Sequence, residues 1–125
     1  MKKSVFPLVL ILSLLFFVSS CSMTGSGDGN GSTNYDEFAQ CITDSGAKMY
    51  GAYWCPHCND QKDMFSSSWD YIDYIECSLP NKSGQTQICA EEGITGYPTW
   101  EFGDESRQSG KLPLDILSER TGCSL

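Results

Sequence analysis

Trp54-Cys55-Pro56-His57-Cys58 places two thiols three positions apart with a proline between them. Residues at that spacing face the same way on a helical turn, with Cα atoms within disulfide reach, so the pair can open and close with little backbone movement. The residues ahead of it, Ala47 to Tyr53, form a compact apolar run expected to be a buried strand, and Pro56 suits the first position of a helix. A strand thus delivers Cys55 to a helix start, where unpaired N–H groups and the macrodipole favour an anion by up to about 2 kcal/mol. Cys55 is therefore the expected nucleophilic thiolate, with Trp54, Pro56 and His57 as its support. Cys58, one turn inside and more shielded, is the expected resolving thiol that closes on a mixed disulfide. His57 is the only histidine. Protonated, it would stabilise the thiolate and the reduced form, making the disulfide a stronger oxidant by about 30 mV for each 1.4 kcal/mol. Its bland alternative is a solvent-exposed bystander.

Other uses of the pair fit less well. A c-type haem site needs His directly after the second Cys, and position 59 is Asn. Zinc needs four ligands, and the remaining thiols lack a second two-residue spacing. No metal and no cofactor is expected. An inert structural disulfide remains the plain alternative.

The surrounding chain sets limits on what this pair can serve. At 125 residues it has room for one domain, and its net charge of −8 argues against a nucleic-acid partner, because phosphate-backbone binding depends on basic residues that release counterions. Residues 1–20 read as a signal peptide: Lys2 and Lys3, an apolar run from Val5 to Val18, then Ser19-Ser20. As a helix that run reaches only about 21 Å, short of a hydrocarbon core roughly 30 Å thick. Val18-Ser19-Ser20-Cys21 resembles a bacterial lipobox, which implies a lipidated Cys21 as the new N-terminus; a plain secretory signal is the alternative. Residues 21–33 follow as the lipidated Cys and a Gly/Ser-rich tether with a span of roughly 20 Å. Of the seven cysteines, lipidation uses one and leaves six, enough for three pairs in an oxidising compartment.

Residues 34–125 make the folded domain. Asn34 and Glu37 have the pattern of a capping box opening a first helix that ends near Gly46. The strand over 47–53 and the helix from Cys55 come next. Tyr71 to Glu76 is a second strand, and Thr86 to Glu92 a short helix stopped by Gly93. Thr99 to Phe102 and Ser106 to Gly110 form a hairpin. A last helix over Pro113 to Thr121 ends at Gly122. The order α-β-α-β-α-β-β-α gives an α/β fold, a small mixed sheet flanked by helices on both faces. Trp69, Tyr71 and Tyr74 are expected to pack in the core or on a strand face.

Gly96-Tyr97-Pro98-Thr99 opens the third strand, where a proline often follows a cis bond and turns backbone outward to pair with an extended ligand. Together with Cys-Pro-His-Cys at the end of an earlier strand, this chain resembles the thioredoxin superfamily over about residues 35–123. The resemblance implies a thioredoxin-like fold in which Tyr97 and Pro98 border a substrate groove beside the cysteine pair. It is closer still to the thioredoxin-like domain fused to bacterial and plant vitamin K epoxide reductase homologues. The matching stretches are Phe38 to Cys41, Gly46 to Cys58, Gly93 to Glu101 and Thr121 to Cys123. The multi-helix reductase portion is absent from this sequence, and the resemblance implies a separate, quinone-linked membrane partner of that kind. One departure stands out. Thioredoxins and periplasmic disulfide oxidases usually bury a carboxylate six residues before the first active cysteine, and Met49 holds that position here, so proton transfer to or from Cys58 must use water or another group.

Topology orders the other four cysteines. Cys41 closes the first helix and Cys123 follows the last, both on the side away from the active pair; Cys77 ends the second strand and Cys89 lies in the next helix. The expected disulfides are Cys41–Cys123 and Cys77–Cys89, with a redox relay through the latter pair as the sharper alternative. Three functions follow. The first is a lipid-anchored envelope thiol-disulfide oxidoreductase, leaning to oxidase, that acts on reduced exported proteins or peptides and faces the periplasm or exterior. The others are a reductase of the same fold and a redox-inert lipid-anchored binding module.

Overall fold

The structure, a computed structural model, describes residues 34–125. The signal peptide expected over 1–20 and the lipidated Cys21 and tether expected over 21–33 lie outside the described residues. The elements run α1 (Asp36–Asp44), β1 (Lys48–Gly51), α2 (Pro56–Phe65), β2 (Tyr74–Glu76), α3 (Gln87–Glu91), β3 (Thr99–Glu101), β4 (Arg107–Ser109) and α4 (Leu114–Thr121), with 3-10 turns at Ser66–Tyr71 and Pro80–Lys82. The sheet order is β2-β1-β3-β4. β1 pairs parallel with β2, Met49 opposite Tyr74 and Gly51 opposite Glu76. β3 runs antiparallel to β1, and β4 antiparallel to β3. This is a mixed α/β sheet of thioredoxin-like fold.

Side chains alternate across a strand, so the neighbours Met49 and Tyr50 point to opposite faces, and each seeds its own core. Met49 and Trp100 are buried with Phe38, Ala39 and Ile42 of α1, Cys58 and Phe65 of α2 and Leu117 of α4. Tyr50 packs on the other face with Cys77, Ile94 and Cys89 of α3. Helices thus cover both faces, and burial of each large apolar side chain contributes roughly 1.5–3 kcal/mol.

Two local expectations are corrected. The capping box does not form: α1 has Tyr35 at its N-cap and no side-chain cap bond. Asn34 Oδ1 instead accepts from the Asp36 N–H at 2.8 Å. Ser68, from the first 3-10 turn, supplies the partner across space: its Oγ accepts from the Tyr35 N–H at 3.0 Å and donates to Asp36 Oδ1 at 2.7 Å. The second strand is also shorter than expected. Tyr71 ends the 3-10 turn, and Thr43 Oγ1 holds the bend, donating to the Tyr71 carbonyl at 2.8 Å and accepting from the Asp73 N–H at 2.9 Å. Tyr71 is consequently exposed rather than packed. At the other end of the chain Gly122 closes α4 in the left-handed conformation, φ 73°, which glycine adopts without a Cβ penalty.

Candidate active site

β1 leads straight into the cysteine pair. Cys55 is the N-cap of α2 with extended backbone, Pro56 occupies the first turn, and the Cys55 carbonyl accepts from the Asn59 N–H at 3.1 Å. Proline costs nothing there, since the first-turn N–H has no intrahelical partner to lose. Cys55 and Cys58 are free thiols, and both are buried, Cys58 completely.

The loop before β3 faces them. The Tyr97–Pro98 peptide bond is cis, Pro98 is buried, and the Cys55 thiol donates to the Tyr97 carbonyl at 3.6 Å. Residues distant in sequence, Cys55 and Tyr97, therefore meet at one point. Trp54 flanks it: its ring stands edge-on to Tyr97 at 6.0 Å between centroids, and its indole N–H donates to Ser78 Oγ at 2.8 Å. With Trp54 41% and Tyr53 46% exposed, the rim beside the thiols is aromatic and open to solvent. Tyr97 is held by Gln85, whose Nε2 donates to its hydroxyl at 2.9 Å. The His57 side chain, 70% exposed, points to solvent with Nδ1 4.0 Å from Asp60 Oδ2. Among the described residues no group of three or more His, Cys, Asp or Glu is placed to hold a metal ion.

Burial pushes the Cys58 thiol up to about 12, with a hydrogen bond from the Ala52 backbone opposing it and Cys55 adding to it. In the dithiol form Cys58 thus keeps its proton at neutral pH. That suits a thiol that waits until a mixed disulfide forms on its neighbour.

The other four cysteines are spent in two disulfides, Cys41–Cys123 and Cys77–Cys89. The first fastens the end of α4 to α1, and the second ties the end of β2 to α3. With both closed, the free thiols of the described domain are the Cys55–Cys58 pair alone.

Two residues near the site were not singled out in the sequence. Gln61, fully buried on α2, accepts from the Leu112 N–H at 2.7 Å and the Trp100 indole at 3.3 Å, and donates to the Leu112 carbonyl at 3.0 Å. It locks the active-site helix to β3 and to the segment before α4. Glu76 receives the Tyr53 and Ser78 N–H groups on Oε1 at 3.2 and 2.9 Å, and the Tyr74 hydroxyl on Oε2 at 2.8 Å. The available signals were a polar residue amid the buried positions of a helix, and a strand alternation that put Tyr74 and Glu76 on one face.

No protein-family model matches the chain. It is similar to the curated Thiol-disulfide oxidoreductase LTO1 of Arabidopsis thaliana, 42% identical over 91 residues. The match covers 70% of this chain and 24% of that protein, so the chain spans about a quarter of its relative's length.

Proposed function

We propose that this chain is a thiol-disulfide oxidoreductase that exchanges the Cys55–Cys58 disulfide with the thiols of exported proteins or peptides. The observation that carries the reading is the pair of free thiols at the start of α2, with Cys55 against the Tyr97 carbonyl, in a domain whose other cysteines are paired. The name of the Arabidopsis relative supports the reaction class. In substrate oxidation a substrate thiolate attacks Cys55 Sγ of the disulfide and Cys58 leaves as a thiolate; a second substrate thiol then attacks the substrate sulfur of the mixed disulfide and expels Cys55. When the pair is re-oxidised, the Cys55 thiolate attacks the oxidant's disulfide and Cys58 closes on Cys55. Trp54 and Tyr97 line the place where an extended substrate would lie, and Tyr97 presents it with backbone beside the cis bond to Pro98.

The direction proposed is oxidation. A helix N-terminus beneath Cys55 favours the reduced pair, and a favoured reduced pair makes an oxidising disulfide. The address proposed is the cell envelope, through a signal over 1–20 and a lipid on Cys21, facing the periplasm or exterior. A membrane partner of the vitamin K epoxide reductase type, linked to quinone, would then restore the disulfide. The resemblance of residues 46–58 and 93–101 to the domain fused to such reductases supports that choice.

Two measurements test this. Trapping in a Cys58→Ala variant is expected to collect exported proteins disulfide-linked to Cys55, and linkage through Cys77 or Cys89 instead would overturn the assignment. Acid quenching and alkylation of intact cells is expected to find Cys55 and Cys58 mostly as disulfide; a mostly dithiol pair would make the protein a reductase.

A further inference from the structure

Cys58 is fully buried, and position 49, beneath it on β1, is a methionine with no charge to offer. A thiol that must attack has to lose its proton first, so something within reach has to take it. The groups that bear on Cys58 are few: Cys55 on the same turn, Lys62 further along α2, and Tyr74 from β2.

Gly51 is what brings Tyr74 close. A Cβ at that position would stand 3.0 Å from Cys58 Sγ, 3.2 Å from Tyr74 Oη and 2.8 Å from Tyr74 Cε2. The sulfur and the phenol oxygen therefore close on the same bare patch of backbone, no more than about 6 Å apart, a gap that one water spans. The phenol is aimed onward, donating to Glu76 Oε2 at 2.8 Å. Glu76 is fixed in turn by the Tyr53 and Ser78 N–H groups on its other oxygen. The Lys62 ammonium lies 4.0 Å from the centre of the Tyr74 ring and holds it in place. Tyr74 itself is held well above the ordinary phenol range, first by burial and then by Glu76, so it passes a proton along without standing as a phenolate.

We propose that Tyr74 and Glu76 form a proton relay for Cys58, with Glu76 as the terminal acceptor and Gly51 as the position that lets the relay reach the sulfur. The proposal rests on the thiol-disulfide reading above. In the resolving step Cys58 Sγ attacks Cys55 Sγ of a mixed disulfide, so the Cys55–Cys58 bond forms and the bond from Cys55 to the substrate sulfur breaks. The pair is oxidised, and the departing substrate sulfur carries away the two electrons as a thiolate. The Cys58 proton moves to the intervening water, which protonates the phenol oxygen as the phenol gives its own proton to the Glu76 carboxylate. Glu76 then returns it to solvent or to the departing thiolate. In the reverse direction the same chain delivers a proton to the Cys58 thiolate.

The test is stopped-flow reaction of the reduced protein with dithiobis(nitrobenzoate), across about pH 6 to about pH 8. Cys55 releases a first thionitrobenzoate on forming the mixed disulfide, and Cys58 releases the second on closing the ring. For the wild type the second phase is expected to be nearly flat with pH. In Tyr74→Phe and in Glu76→Gln it should fall by about 100-fold at neutral pH and rise close to tenfold per pH unit, while the first phase stays within about twofold. Tyr74→Phe keeps the ring and its packing, and Glu76→Gln keeps an oxygen for the two backbone donors. A second phase as fast and as flat as wild type in either variant overturns the relay. So does equal slowing of both phases, which would make these side chains structural supports of the loop. A wild type that releases no second equivalent defeats the thiol-disulfide reading instead, and so the two failures are told apart.

Discussion

Replacing Gln61 by leucine removes the one side chain that satisfies three buried backbone and indole groups at once. Leucine has a similar volume, so the cavity contribution is small and the effect is one of polar satisfaction. The Leu112 N–H, the Leu112 carbonyl and the Trp100 indole N–H would each lose a partner now at 2.7, 3.0 and 3.3 Å. An orphaned buried polar group costs about 1–3 kcal/mol, and the long indole bond belongs at the lower end, so the expected loss is about 3–5 kcal/mol. Against a domain stability of about 5–15 kcal/mol this is a large fraction, and it lowers Tm by at least about 12 °C. The assay is urea and thermal unfolding of the protein with its disulfides intact, followed by Trp fluorescence, beside an exposed control, Gln87→Ala, expected to change stability by no more than about 0.5 kcal/mol. A loss below about 1 kcal/mol for Gln61→Leu would refute the reasoning, because it would mean these groups find other partners as α2 shifts.

The two disulfides should differ in worth. Cys41–Cys123 spans a sequence separation of 82 and Cys77–Cys89 one of 12, so serine pairs should cost about 4.5 and about 3 kcal/mol in urea unfolding, and the reverse order would contradict the chain-entropy account. The buried Cys58 thiol stabilises the dithiol form only while it stays protonated. With a folded value raised from 9.0 to about 12, that contribution is complete below pH 9.0 and declines as pH climbs towards about 12, which stability measured against pH in reducing buffer checks through comparison with Cys58→Ala. Glu101 behaves in the opposite sense. Burial pushes its carboxyl up, but hydrogen bonds from Lys48 and Arg107 outweigh burial and hold it below the usual carboxylate range. Its stabilisation is present above the ordinary carboxylate range and is lost as pH falls through its depressed value. Glu101→Gln should cost about 1–2 kcal/mol at neutral pH and much less in acid, and a pH-independent difference would contradict this.

Much of the architecture was legible because the chain marks its own junctions. Pro56 behind an apolar run places a strand ahead of a helix, and Gly93 and Gly122 stand where helices stop. The cysteines at element ends could be sorted by the faces those ends must share. What escaped the sequence depended on contacts made across space. Ser68 lies 33 residues from the Tyr35 N–H that it caps, and no local pattern announces it. The strand over 71–76 was overlong because Tyr71 and Asp73 alternate as a strand would, while Thr43 on α1 holds them in a bend. Tyr74 and Glu76 carry the right alternation, yet their bearing on Cys58 emerges only from the parallel register with β1 and from the missing Cβ at Gly51.

The central claim is that Cys55 and Cys58 form a reversible pair beside cysteines that do not turn over. Mass analysis of the alkylated protein after equilibration in graded glutathione and dithiothreitol buffers reads this directly. The account predicts one two-electron transition confined to Cys55 and Cys58, at a potential above about −230 mV, with Cys41–Cys123 and Cys77–Cys89 still oxidised there. A Cys55–Cys58 disulfide that persists below about −300 mV, or a transition shared with the other pairs, would contradict it.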